Sequence, residues 1–263
     1  MQSTTSVNFT SAVFSPDYEN IRKHVLHAIQ EFDDLGIKVG KGKRNMVKHI
    51  VVDNVHLNVK SFKVPNLFNR FIYHSIRKSK ARRSYEYAHY LLQHDIGTPP
   101  PVAFFEQKNA MLLGKSFYVS LHIREDLTLR TLIDHPEYAG REEILRQFTR
   151  FTHRLHEKGI LFLDHSPGNT LIIKQKSGDY SFHLVDLNRM KLNRKMDFRT
   201  RMKNFARLSA TEEMLQIMSE EYALLTGFDR EKTLQAMRHY TQKNGRRRKR
   251  KKQIKKRMGK YKL

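Results

Sequence analysis

Leu163-Asp164-His165-Ser166-Pro167-Gly168-Asn169, followed by Val185-Asp186-Leu187-Asn188-Arg189, is the stretch on which the fold turns. The Asn lies five residues after the first Asp, and the second Asp lies seventeen after the Asn. Leu171-Ile172-Ile173 and Phe182-His183-Leu184-Val185 lie between the two polar elements and have strand character. The order is therefore polar loop, hairpin, polar turn. Taken singly, Asp164 and Asn169 read as turn residues around Pro167-Gly168. Only in combination with residues elsewhere do they point to chemistry.

Those residue types suit phosphoryl transfer. One carboxylate, Asp164, would orient or deprotonate an attacking hydroxyl. An amide and a second carboxylate, Asn169 and Asp186, would hold Mg2+ ions that bridge nucleotide phosphates. Two upstream residues fit the same scheme. Lys60 closes the β-branched run Val55 to Val59, and Glu86 lies on the following helical segment, Ser84-Tyr85-Glu86-Tyr87-Ala88. A strand lysine positioned by a helix glutamate touches nucleotide phosphates in enzymes of this kind. Lys63 is a rival to Lys60, but Val64-Pro65 ends the strand there. Gly40 and Gly42 could lay backbone N–H groups over the phosphates, and ATP would rest its adenine near Ser120.

Composition bounds the rest. The chain has 263 residues, 39% of them hydrophobic, enough for a sizeable core. It has no cysteine, which removes disulfides and thiolate metal sites. No apolar run reaches the roughly 20 residues of a membrane-spanning helix. Met1 to Val7 lacks the basic start and apolar stretch of a signal peptide, so a cytoplasmic location is expected. His153 and His156 lie three apart on a predicted helix without a third metal ligand. The net charge is +24, and Arg246 to Lys262 contributes twelve Lys or Arg with no acid. Such a stretch suits a polyanion, either an anionic membrane face or nucleic acid.

Along the chain, residues 1 to 20 read as irregular and Ile21 to Leu35 as a short helix. Val47 to Val52 and Val55 to Phe62 read as strands joined by an Asp53-Asn54 turn. Leu67 to His94 reads as a long basic helix, broken by Gly97-Thr98-Pro99-Pro100-Pro101. Val102 to Phe105 and Ser116 to Ile123 follow as strands. Ile144, Phe148, Phe151 and Leu155 form the stripe of a helix ending near Gly159. Asp197 to Asn244 reads as helices, with Gly245 as the last helix's end. The expected class is α+β with two lobes: an antiparallel sheet with one main helix (1–119), a helical lobe carrying the polar loops (120–244), and a disordered basic tail (245–263).

With these elements in order, the chain resembles the lipopolysaccharide kinase family, which includes the Kdo and heptose kinases. Val59-Lys60-Ser61-Phe62-Lys63-Val64-Pro65, Arg83-Ser84-Tyr85-Glu86-Tyr87-Ala88 and Asp164 to Asn169 carry the resemblance, which covers about residues 30 to 225. It implies a protein-kinase-like fold and ATP with Mg2+ as cofactors. The implied acceptor is a sugar hydroxyl such as that of Kdo on a lipid A precursor. The implied location is peripheral on the cytoplasmic face of the inner membrane, with the basic tail against anionic lipid.

The departures from protein kinases have consequences. Phe162 and Leu163 stand where His-Arg precedes the catalytic Asp, and no Ala-Pro-Glu follows Asp186. Ser166 replaces a catalytic-loop lysine, and Leu187-Asn188 follows Asp186 without a glycine. The missing arginine and the missing Ala-Pro-Glu argue against a regulated kinase of protein substrates. The alternatives are a RIO-type kinase tied to ribosomal particles, an aminoglycoside-type phosphotransferase, and a catalytically idle kinase-shaped module that docks RNA or membrane.

Overall fold

The computed structural model describes residues 9–39, 45–64, 78–109 and 112–260. The chain forms two compact units. One comprises residues 1–124 with Asp186–Asn188, and the other Glu125–Val185 with Arg189–Leu263. The first unit extends past the expected boundary at residue 119 and takes in the Asp186 turn.

The first unit is built on a six-stranded antiparallel sheet. In chain order its elements are β1 (Ser11–Phe14), a 3₁₀ turn (Pro16–Ile21), α1 (Arg22–Gln30), β2 (Ile37–Lys38), β3 (Asn45–Val52), β4 (Val55–Phe62), α2 (Lys80–Gln93), β5 (Pro101–Asn109) and β6 (Leu112–Leu121). The sheet order is β1-β5-β6-β4-β3-β2. The β3–β4 hairpin closes at the expected pair: Asp53 and Asn54 have φ of 48° and 62°. Two positive φ values make the tight turn whose twist matches the strands, and Asp and Asn tolerate them.

Alternation then assigns a helix to each sheet face. Leu57, Val59, Phe105, Phe117 and Val119 join Val25, Ile29 and Phe32 of the α1 region in one core. Phe104 belongs to the opposite face, where Tyr85 of α2 packs its ring 5.2 Å away. Lys60 alternates with Val59 and pairs with Tyr118 across the ladder, so it falls on the α2 face. Ser79 caps α2 by accepting from Arg82 N–H.

Two expectations for this unit need revision. The segment read as irregular contains β1, which pairs antiparallel with β5 from Ser11↔Glu106 to Phe14↔Ala103. Four residues are too few to show a period, and the strand exists because β5 offers it an edge. The expected long basic helix is not continuous: Lys78 and Ser79 are non-helical, and the helix starts at Lys80 behind the Ser79 cap and runs to Gln93. Its expected beginning, from Leu67, lies outside the described residues, as do Gly40 and Gly42.

The second unit contains β7 (Leu127–Thr128), α3 (Leu129–Asp134), α4 (Arg141–Glu157), β8 (Leu161–Phe162), β9 (Thr170–Lys174), β10 (Tyr180–Leu184), β11 (Met190–Lys191), α5 (Phe198–Phe205), α6 (Glu212–Thr226) and α7 (Arg230–Lys260). Ile144, Phe148, Phe151 and Leu155 of α4 are buried, as their spacing requires. Gly159 follows α4 with φ of 68°, and a Cβ there would lie 3.0 Å from Arg194 N. Both the backbone conformation and the close approach call for glycine. β9 and β10 form the expected hairpin, from Thr170↔Leu184 to Lys174↔Tyr180.

The C-terminal stretch corrects another expectation. α7 runs through Gly245 to Lys260 instead of ending there and giving way to a disordered tail. Asn244 donates to Ala206 O (2.9 Å) and Arg248 to Ser209 Oγ (2.7 Å), one on each side of the glycine. These ties offset the roughly 1 kcal/mol that a helical glycine costs relative to alanine. No helix among the described residues is long and apolar enough to cross a membrane.

Candidate active site

In the first unit the focus is Lys60. Its Nζ lies 2.6 Å from Asp186 Oδ1, and the lysine side chain is only 16% exposed. Asn188 Nδ2 donates to the same carboxylate oxygen at 2.6 Å. Arg83, buried on α2, donates to the Asn188 carbonyl at 2.8 Å. Helix, strand and turn thus fix one carboxylate. Asp186 itself has φ of 60°, a left-handed conformation that Asp adopts more readily than most residues. The turn aims its side chain at the strand lysine.

Glu86 is not part of this set. Its carboxylate pairs with Lys78 (2.8 Å) and with Arg82 (2.9 Å) one turn back on α2. Burial acts to raise its pKa, but the hydrogen bonds from those two cations outweigh it and hold the carboxyl below its ordinary value. The expected Lys60–Glu86 pairing is replaced by Lys60–Asp186. The reason is local: cations at i−8 and i−4 already occupy the glutamate. Ser120 is buried in β6, opposite Asn58 and Pro101.

In the second unit, backbone and side-chain hydrogen bonds shape the loop around Asp164. Ser166 N–H and Asn169 Nδ2 both donate to the Asp164 carbonyl, at 2.6 and 2.8 Å. Asn169 N–H reaches Ser166 O, and Val185 N–H reaches Asn169 O. Arg130 N–H reaches Pro167 O, which ties the loop to α3. Below it, Phe162 and His165 are fully buried. The Phe162 that replaces a kinase histidine is packing, and its carbonyl accepts from Asn204 Nδ2 at 2.8 Å.

Two arginines grip the Asp164 carboxylate: Arg207 at 2.8 Å and Arg189 at 3.4 Å. Neither arginine is among the site residues expected from the sequence. Arg189 stands within the quoted motif, three residues after Asp186, so a signal existed. Arg207 carried none, because it follows α5 and meets Asp164 only in the folded chain.

Four of the predicted groups thus form two sets, each within its own unit, and Glu86 joins neither. Lys60 and Asp186 make one, and Asp164 and Asn169 make the other. No group of three or more His, Cys, Asp or Glu side chains that could hold a metal ion occurs among the described residues.

Comparison with known proteins decides the family. The model of the lipopolysaccharide kinase (Kdo/WaaP) family matches residues 38–240. The chain belongs to that family. Among solved structures, this family member is similar to one described as WaaP in complex with acyl carrier protein, with a TM-score of 0.59. The likeness covers 89% of this chain and 99% of the other at 16% identity, which establishes the protein-kinase-like α+β fold. No curated protein matches the kinase. Membership makes it an ATP-dependent phosphotransferase.

Proposed function

We propose that the chain transfers the γ-phosphoryl group of ATP to a sugar hydroxyl of the lipopolysaccharide inner core, with Kdo on a lipid A precursor as the acceptor. The observation that carries this reading is the anchored Lys60–Asp186 pair in a family of lipopolysaccharide kinases. Lys60 is a compact cation placed for phosphate oxygens. Ser120 belongs to the strand end proposed to lie near the adenine.

Asp186 and Asn169 offer a carboxylate and an amide oxygen, the hard donors that Mg2+ prefers. When bound there, Mg2+ would neutralise phosphate charge. Asp164 accepts a hydrogen bond from the acceptor hydroxyl and aligns its oxygen with the γ-phosphorus. The new bond joins that oxygen to phosphorus, and the bond from phosphorus to the β–γ bridging oxygen breaks. ADP leaves, and the hydroxyl proton passes to Asp164 and then to solvent. Arg189 and Arg207 hold the carboxylate in one orientation, which limits the conformational freedom lost at the reacting centre.

The basic C-terminal stretch supports a peripheral location on an anionic membrane face. A lipid-linked acceptor would be met there.

The test is ATP-dependent phosphorylation of Kdo-lipid A by the purified chain. Asp164→Ala and Asp186→Ala should each lower the rate by about 10² or more while circular dichroism shows the fold retained. Full activity in either variant refutes the assignment. Turnover of ribosomal particles or aminoglycosides in place of Kdo-lipid A would refute the acceptor.

A further inference from the structure

A basin in the second unit is lined by Arg130, Arg189, Arg207, Arg247, Arg248 and Lys251, with Ser166 and Pro167 from the Asp164 loop. Its volume is about 710 Å³, within the range of about 300–1,000 Å³ typical of small-molecule sites. No acidic side chain lines it. Two of its arginines, Arg189 and Arg207, are the pair that grips Asp164. An adjoining cavity of about 580 Å³ shares Arg207, Asn244 and Arg247 with it and is again lined without an acid.

Arg189 and Arg207 share the single Asp164 carboxylate, so the six cations around the hollow keep an excess of positive charge, and its field is focused into it. An anion in the basin would offset that excess. Arginine's planar fork matches the oxygens of phosphate or carboxylate in a way that a flexible lysine does not.

The outer wall comes from α7. Lys243, Asn244, Arg247, Arg248 and Lys251 line the two cavities. Their spacing of three and four places them on one helix face. Lys249 and Arg250 line neither cavity. The hydrogen bonds from Asn244 and Arg248 to Ala206 and Ser209 hold this face inward. A charge run serving only as a solvated or membrane-facing surface would need no inward face. The wall residues also lie beyond residue 240, where the family match ends.

We propose that this basin holds a phosphate or carboxylate group of the acceptor while Asp164 engages its hydroxyl, and that α7 is the wall that selects for that anion. The inference rests on the kinase reading above.

The test uses the full-length chain and a water-soluble, deacylated Kdo-bearing disaccharide bisphosphate, so no lipid surface is present. Arg247→Ala/Lys251→Ala is compared with Lys249→Ala/Arg250→Ala, two double variants that remove equal charge from different parts of the helix. The first pair should raise KM for the disaccharide by roughly tenfold or more and leave KM for ATP unchanged. The second should change neither by more than about twofold.

Calorimetric titration of the same disaccharide without ATP should give the same contrast in Kd. If the wild-type chain turns over no disaccharide, the kinase reading fails, and the titration still decides the basin. Equal effects of both pairs, or no effect of either, overturn the proposal. A phosphate-free analogue identifies the group held. If the effect of the first pair vanishes, the group is phosphate; if it persists, the group is carboxylate; either result supports the basin.

Discussion

His156 and His165 show how single residues tune this protein. His156 is buried, with Tyr222 OH 2.8 Å from Nδ1 and Asn204 Oδ1 3.0 Å from Nε2. Burial pushes its pKa down to about 4. His165, next to Asp164, is buried against Phe148, Phe162 and Phe205 with no partner for either ring nitrogen among the described residues. Burial pushes its pKa down to about 3. Unfolded, each would titrate near 6.5. Between that pH and the folded values, the unfolded chain binds protons that the folded chain refuses. Stability from these groups is present above about pH 6.5 and is lost as pH falls towards about 4. For His156 alone the loss is roughly 3 kcal/mol across the window. Thermal melts should show Tm falling over this range. His165→Phe gives up no hydrogen bond and should flatten the fall. A fall in Tm with pH as steep as the wild type's in that variant would show that His165 does not contribute.

At the scale of elements, α7 is the informative case. Glycine inside a helix is unfavourable, and the C-terminal run is strongly basic, so the chain's local preferences disfavour the helix there. Tertiary ties on both sides of Gly245 counter this. A Cβ at Gly245 would meet nothing within 4 Å. Gly245→Ala should therefore stabilise the second unit by about 0.5–1 kcal/mol, measured by denaturant unfolding. A loss of stability would mean that the helix is broken at this residue in solution. The β3–β4 hairpin makes the opposite point. Its turn, its alternation and its register all agree, so local and long-range preferences reinforce each other.

For the whole molecule, the net charge of +24 is the dominant property. Association with anionic vesicles should weaken steadily with added salt, because the Debye length shortens from about 10 Å at 0.1 M to about 3 Å at 1 M. Truncation after Asn244 should reduce co-sedimentation with such vesicles. Unchanged co-sedimentation would remove the surface role from the basic stretch.

Much of the fold and part of the site were legible in the sequence. The Asp53-Asn54 turn, the α4 stripe and the Asp164 to Asn169 loop all depend on residues within a turn or a strand period of one another. Lys60 could be placed because it follows a strand's alternation. Its partner could not, because Asp186 lies 126 positions away and Glu86 was chemically as good a choice. The tertiary structure alone decided that Lys60 meets Asp186 and that Arg207 grips Asp164. It likewise decided that Ser11–Phe14 is an edge strand and that the basic run is one wall of a basin. Hydrophobic period and turn chemistry record what a residue's neighbours along the chain require. They hold no record of which distant charge will be nearest once the core has closed.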